Sequence, residues 1–275
     1  MHLRRIVLLG NKGFIGSHLE AKLRTLGCEF SAFDLPQLDL IRSADALAPA
    51  FDLQTAVVIT AGVKRQWGDT LEAFQQNVAM AVNVARLLET HPVRRLIFFS
   101  SAAVYGEENE NKQITEDTPA RPTSLYGAAK FASECVFRKV LPTGFVAIRP
   151  PLIYGPGDTS KSYGPAGFVH AAKHGEPVTL WGEGDEKREF IFVLDVVEIV
   201  ARLVNSDFIG ALNVATGQAH TFREAAELTG AKITTRPRSK PKVDHGFNNQ
   251  RLTALFPDFT FHNLAQGIHE TLSTL

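Results

Sequence analysis

The stretch Gly10-Asn11-Lys12-Gly13-Phe14-Ile15-Gly16 follows directly on the apolar run Ile6-Val7-Leu8-Leu9 and leads into a helix-like segment that ends near Leu26. Glycines at three-residue intervals between a strand and a helix suit one task well. The turn is tight and bare of Cβ atoms, so backbone N–H groups can close on a pyrophosphate. The first turn of the helix then offers that anion unpaired donors and a partial positive charge, and Gly16 lets the helix pack closely on the strand. A second strand, Glu29 to Phe33, ends at Asp34, close to the offset of about 20 residues at which a dinucleotide-binding unit places an acid for the ribose. A carboxylate there accepts from both ribose hydroxyls and repels a 2′-phosphate. The expected cofactor is therefore NAD rather than NADP, held by Gly10, Gly13, Gly16 and Asp34.

Further apolar runs alternate with helix-like stretches: Ala56 to Ile59, a helix over Leu71 to Glu89, Leu96 to Phe99, and Phe145 to Ile148. These strands are apolar throughout, as expected of parallel strands covered on both faces. The recurrence predicts an α/β fold, a Rossmann-type doubly wound parallel sheet with right-handed crossovers, followed by a small C-terminal α/β substrate lobe. The turn cluster Tyr154-Gly155-Pro156-Gly157-Asp158 sets the boundary. Residues 1–154 are thus expected to form the NAD-binding domain and 155–275 the substrate-binding lobe. In the second half the pattern predicts a helix over Gly167 to Lys173, a strand near Val178 to Leu180, and a helix over Asp195 to Leu203 with Asp195 as its N-cap. Beyond Ala231 regular pattern is sparse, with Pro237 and Pro241 as breaks.

The 275 residues are 44% hydrophobic, enough to fill such a core. A formal net charge of zero argues against a broad footprint for nucleic acid or an anionic membrane. No stretch reaches transmembrane length, and the N-terminal apolar run is too short for a signal peptide. Cys28 and Cys135 stand far apart in sequence, and the nine histidines form no metal motif. Neither a disulfide framework nor a metal site is expected, and a cytoplasmic protein is.

Chemistry enters with Tyr126-Gly127-Ala128-Ala129-Lys130, preceded by Pro122 and the cap-type residues Thr123 and Ser124. Residues i and i+4 share a helix face, so the phenol and the ammonium point the same way. A phenol of pKa about 10 is a poor base at neutral pH. A nearby ammonium and an oxidised nicotinamide are both expected to lower it, and Lys130 would also bond the nicotinamide ribose. Ser101 lies just beyond the strand Leu96 to Phe99, at the strand end where open α/β sheets bind ligands. There it would hold a substrate hydroxyl while Tyr126 moves its proton and the nicotinamide takes its hydride.

These residues resemble the extended short-chain dehydrogenase/reductases, the NAD-dependent epimerase/dehydratase family acting on nucleotide sugars. The resemblance runs from the glycine turn and Asp34 through Asp39-Leu40, Thr60-Ala61-Gly62, Asn77, Ser100-Ser101-Ala102-Ala103-Val104-Tyr105-Gly106 and Tyr126-x-x-x-Lys130. It continues in Arg149-Pro150, Tyr154 to Asp158, Trp181-Gly182-Glu183-Gly184, Arg188-Glu189-Phe190-Ile191 and Asn213-Val214-Ala215. It implies Ser101, Tyr126 and Lys130 as the catalytic triad. It implies Phe14 and Ile15 on the phosphate loop, Asp39 and Leu40 at the adenine, and Ala61, Gly62, Asn77 and Ser100 along the cofactor. Pro150 and Ile153 would pass the nicotinamide. Arg188, and at a second phosphate contact Arg236 or Arg238, would grip the substrate's pyrophosphate, a task suited to guanidinium. A segment near 188–215 would return to the first domain.

The family's dehydratases carry Asp-Glu after the catalytic Ser or Thr, where this chain has Ala102 and Ala103, so dehydration is not expected. The family's frequent Asn before the YGP turn is Leu152 here, and the region after Gly217 is short. The reading is a nucleotide-sugar epimerase or related oxidoreductase. Its alternatives are a sugar dehydrogenase or keto-sugar reductase and, in another class, a non-catalytic dinucleotide sensor. The helices around Leu71 to Glu89 and Tyr126 to Val140 form the dimer bundle in many relatives and permit a homodimer here. Lys64, Arg65 and Trp67 read as either a substrate mouth or a solvated loop.

Overall fold

The structure is a computed structural model that describes residues 5–65, 68–108, 110–161 and 163–274; Trp67 lies outside them. In chain order the first elements are β1 (Arg5–Leu9), α1 (Phe14–Thr25), β2 (Phe30–Phe33), a 3-10 turn (Asp45–Ala50), β3 (Thr55–Ile59), α2 (Leu71–Thr90) and β4 (Arg95–Phe99). A second 3-10 turn (Ala102–Tyr105), β5 (Asn111–Ile114), α3 (Leu125–Val140), β6 (Phe145–Ile148), β7 (Leu152–Tyr154), α4 (Ala166–Lys173), β8 (Val178–Trp181) and β9 (Lys187–Phe192) come next. The chain continues through α5 (Val193–Val204), β10 (Gly210–Leu212), β11 (Ala219–Thr221), α6 (Phe222–Glu227), β12 (Ile233–Arg236), β13 (His245–Phe247), α7 (Gln250–Leu255) and α8 (Leu264–Thr274).

The chain divides into two compact units. The first comprises residues 1–107, 119–149 and 197–212; the second comprises 108–118, 150–196 and 213–275. In the first unit a six-stranded sheet runs in the order β10-β6-β4-β3-β1-β2, with every pair parallel. The fold is the expected α/β type with a doubly wound parallel sheet. Its strands are dominated by Val, Ile, Leu, Phe and Ala because both faces are covered, and β3, β4 and β6 are buried along their whole length. Leu9, Val57, Leu96, Phe98, Phe137 and Phe145 anchor the main core. The chain first moves outward from β1 to β2, then returns to the other side of β1 with β3. That reversal opens a crevice at the carboxyl ends of β1 and β3, the usual ligand position in such sheets.

The second unit holds small sheets, β11-β9-β7, β12-β8 and β13-β5. One core gathers Tyr154, Phe190, Phe192, Leu264 and Ile268. Two expectations require correction here. Regular structure continues past Ala231 as β12, β13, α7 and α8, whose short strands gain their partners from residues 55 to 134 positions away. Asp195 is not an N-cap, because α5 begins two residues earlier at Val193. Its buried carboxylate instead accepts from the backbone N–H of His262 at 2.9 Å and pairs with that ring's Nδ1 at 2.6 Å. Among the described residues no helix is long and apolar enough to cross a membrane, and no cluster of His, Cys, Asp or Glu could hold a metal ion.

Candidate active site

The phosphate turn is governed by contact distances. Gly10 has φ of +96°, and a Cβ there would lie 2.5 Å from the Ala61 nitrogen. A Cβ on Gly16 would lie 2.0 Å from the Gly10 carbonyl oxygen. Both approaches exclude a side chain at these two positions, and the Thr60 hydroxyl ties the ends of β1 and β3 by donating to the Leu9 and Gly10 carbonyls. Gly13 sits at the N-cap of α1 without a side-chain cap, and the first turn carries no acid. The N–H groups at Phe14 and Ile15 therefore begin a helix whose positive end is left to an external anion.

At the end of β2 the Asp34 carboxylate accepts from the Lys12 N–H at 2.9 Å and the Leu35 N–H at 2.7 Å. It is held at the rim by backbone, with further lone pairs free to accept. The Lys12 ammonium donates to the Leu35 carbonyl at 2.8 Å. Asp39 closes a turn on the Ile41 N–H, which sinks Leu40 into the core. Leu40, Ala61, Asn77 and Lys130 line one narrow cleft in this unit, together with Met80 and Phe98. Asn77 is fully engaged: its amide oxygen accepts from the Val63 N–H and its amide nitrogen donates to the Val63 and Ala73 carbonyls. It fixes the loop that carries Ala61 and Gly62, and a Cβ on Gly62 would come within 3.4 Å of the Lys130 ammonium.

Helix α3 begins with two caps. The Ser124 hydroxyl accepts from the Gly127 N–H at 3.1 Å, and the Asp69 carboxylate accepts from the Tyr126 N–H at 2.8 Å. These fix the turn on which Tyr126 stands. The Ser101 hydroxyl lies near enough to favour the ionised form of its phenol, and that hydroxyl accepts from the Ala103 N–H at 3.1 Å. One turn on, Lys130 is buried and donates to the Phe99 carbonyl at 2.7 Å, with its ammonium 5.7 Å from the centre of the Tyr126 ring. Ser101, Tyr126 and Lys130 therefore come together at the carboxyl end of β4.

The electrostatics depart from expectation. Although Tyr126 is partly exposed as a residue, its phenol is enclosed by protein, and burial pushes its pKa up to about 12; the nearby Ser101 hydroxyl opposes this incompletely. Burial likewise brings Lys130 down to about 8, against the charge of Glu134. The expected lowering of the phenol by the ammonium is absent because the ammonium lies over the ring face and on the Phe99 carbonyl rather than on the phenol oxygen. Lowering the phenol is left to a positive charge brought in with the nicotinamide.

Ser100, expected along the cofactor, has its side chain turned inward. Its buried hydroxyl donates to the fully buried Glu134. The same carboxylate accepts from Arg149 Nε at 2.9 Å and Nη2 at 2.6 Å, and Arg149 Nη1 donates to the Tyr105 hydroxyl at 2.9 Å. Burial works against the Arg149 charge, but Glu134 and Tyr105 outweigh it and raise its pKa. Glu134 and Asp69 escaped the sequence reading. Glu134 had a signal, since it falls on the Tyr126-Lys130 helix face eight residues after the tyrosine; Asp69, 57 residues from its partner, had none.

In the second unit Pro150 precedes β7, and Ile153 pairs with Ile191 in the parallel β7–β9 ladder. Arg188 donates to the Val243 carbonyl and pairs with Glu186 at 2.7 Å. Arg238 holds the other oxygen of Glu186 at 2.8 Å and also Asp185 at 2.8 Å. Arg236, exposed on β12, lies 3.6 Å above the Trp181 ring. The structure thus joins Arg188 to Arg238 through one carboxylate, with Arg236 in a separate stack.

Comparison with known proteins bears on this arrangement. Residues 6–215 match the model of the NAD dependent epimerase/dehydratase family. The chain belongs to that family. Among family relatives, GDP-mannose 3,5-epimerase 1 of Oryza sativa subsp. indica is 26% identical over 257 residues, covering 82% of this chain and 67% of that protein. The UDP-glucose 4-epimerase of Thermus thermophilus, crystallised with NAD, is 28% identical with a TM-score of 0.80, and 98% of each chain is covered. An NAD-dependent NDP-hexosamine 5,6-dehydratase shares the fold at a TM-score of 0.85 and 21% identity, again over nearly the whole of both chains. The same architecture therefore serves epimerases and dehydratases.

Proposed function

We propose that the chain is an NAD-dependent nucleotide-sugar epimerase or related oxidoreductase in which Tyr126 exchanges a proton with a sugar hydroxyl. The observation that carries this reading is the gathering of Ser101, Tyr126 and Lys130 at the carboxyl end of β4, with the Lys130 ammonium buried one helical turn from Tyr126. A dinucleotide sensor has no use for such a set. The residues fit NAD: α1 has an uncapped N-terminus, Gly10 and Gly16 leave no room for side chains, and Asp34 is presented for a ribose.

Bound NAD would accept a hydride from the sugar carbon and, in an epimerase, return it. Tyr126 takes the hydroxyl proton as that hydride leaves and gives it back on return. Ser101, beside the phenol, holds the sugar hydroxyl in line. Lys130 supplies a positive charge below the ring and a donor for the nicotinamide ribose. Gly13, Phe14 and Ile15 would hold the pyrophosphate, Asp39 and Leu40 the adenine end, and Ala61 and Gly62 the nicotinamide end. The first unit would thus serve as the cofactor domain and the second as the substrate lobe, where Arg188 and Arg236 take the nucleotide's phosphates. Arg238 competes with Arg236 for that role because it already shares Glu186 with Arg188.

Dehydration is not part of this proposal. Ala102 and Ala103 offer no carboxylate, and the acid that does act on the phenol, Glu107, is paired with Arg65. We also place the protein in the cytoplasm, where its free thiols Cys28 and Cys135 would stay reduced, and propose a homodimer through α2 and α3.

The test incubates purified protein and NAD with UDP-, GDP- and dTDP-sugars. Isomerised product without net NADH is expected. Accumulating NADH would move the assignment to a dehydrogenase. Tight NAD binding with no turnover of any sugar would overturn the enzyme reading in favour of a sensor.

A further inference from the structure

We infer that Glu134 is a positioning residue for the acid–base centre: one buried carboxylate holds the ends of β4 and β6 and the 3-10 turn Ala102–Tyr105 against the face of α3 that carries Tyr126 and Lys130. This rests on the assignment of Ser101, Tyr126 and Lys130 as the reacting set.

The geometry is fourfold. Tyr126, Lys130 and Glu134 follow one another at intervals of four on a single helix, so they lie along one face. Glu134 has no exposed surface, yet its two oxygens receive the Ser100 hydroxyl and the Nε and Nη2 of Arg149. Ser100 immediately precedes Ser101, so this bond sets where the Ser101 hydroxyl meets the phenol. Arg149 closes β6 and passes the constraint to Tyr105, lying 5.0 Å over its ring and bonding its hydroxyl. The planar guanidinium matches the carboxylate with two parallel bonds, an arrangement that fixes direction as well as distance.

Charge gives Glu134 a second effect on the centre. It is the anion that supports the buried Lys130 ammonium. The other groups around Lys130 are Tyr126 on its own helix, the Phe99 carbonyl and the Phe98 ring from β4, and Asn77, Met80 and Val84 from α2, none of the last three titrating. Arg149 and the rim residue Arg138, 3.6 Å from Glu134, complete the charged set. A group that merely filled space would leave both the proton affinity of Lys130 and the alignment of Ser101 unchanged when its charge was removed.

The test is Glu134→Gln, which keeps the shape and removes the charge. Lys130 is followed by 13Cε NMR on lysine-labelled protein, with Lys130→Met for assignment. The titration midpoint should fall by at least half a unit below the parent's value near 8. The turnover limb assigned to Lys130 should move with it, and kcat should drop about tenfold while KM and NAD affinity stay within about threefold. If Glu134→Gln does not fold, Glu134→Gln/Arg149→Met removes both buried charges together and should show the same shift and loss. An unmoved Lys130 midpoint in a folded variant would overturn the inference, and so would a parental kcat. The NMR readout needs no substrate. A parent that turns over no sugar would therefore defeat the functional reading alone, and an unmoved midpoint would defeat this inference alone.

Discussion

The phosphate turn and the acid–base centre lie in the same unit and are built in opposite ways. The turn relies on backbone and on missing atoms: Gly10 and Gly16 cannot carry a Cβ, and α1 is left without a side-chain cap. The centre relies on buried side chains from β4, the 3-10 turn, α3 and the end of β6, linked through Glu134 and Arg149. The first kind of site is fixed by local steric exclusion. The second exists only when distant segments are packed, because an unpaired buried charge would otherwise be costly.

This contrast predicts that the two regions fail separately. The largest effect belongs to Tyr126→Phe, which should lower turnover about 10³-fold, within the range for losing a general acid–base. NAD affinity, read by calorimetry, should change by less than about threefold. Undiminished turnover would remove Tyr126 from the mechanism. Gly16→Ala should do the reverse, weakening NAD binding about tenfold or more. Backbone must move to admit the new methyl, a strain of roughly 1–3 kcal/mol. A parental dissociation constant would show that the turn is not the pyrophosphate site.

The smallest expected signal is the pH dependence of stability contributed by Lys130. The unfolded chain keeps this proton up to about 10.5 and the folded chain only up to about 8. Between those values the unfolded state binds more protons, so raising the pH favours the folded state, by at most about 1.4 kcal/mol per pH unit. Urea unfolding at intervals from pH 8 to 10 should show the parent gaining on Lys130→Met across this window. A constant difference would mean that Lys130 is not depressed by burial. Tyr126, raised in the folded chain, acts oppositely but only above pH 10.

Legibility followed the same division. The strand–glycine–helix run and Asp34 could be read because the exclusions that define them act within a few residues, or at a strand end marked by its own apolar run. Tyr126 and Lys130 could be read because four residues make one helical turn. Asp195 was misplaced as a cap because its partner, His262, lies 67 positions away. That the Ser100 hydroxyl answers to Glu134, 34 positions on, carries no local signal. The strands beyond Ala231 were missed because each is only three or four residues long and is stabilised by a distant neighbour rather than by an alternating pattern of its own.

What the sequence by itself determined is therefore the fold class, the glycine turn and the shared helix face of Tyr126 and Lys130, all consequences of short-range sterics and helix or strand period. Tertiary structure alone decided how those side chains are charged and aimed. Burial pushed the phenol to about 12 and the ammonium to about 8. One carboxylate on α3 tied three other segments to the reacting face. Desolvation and long-range pairing depend on which groups packing encloses together, and no local pattern along the chain carries that information.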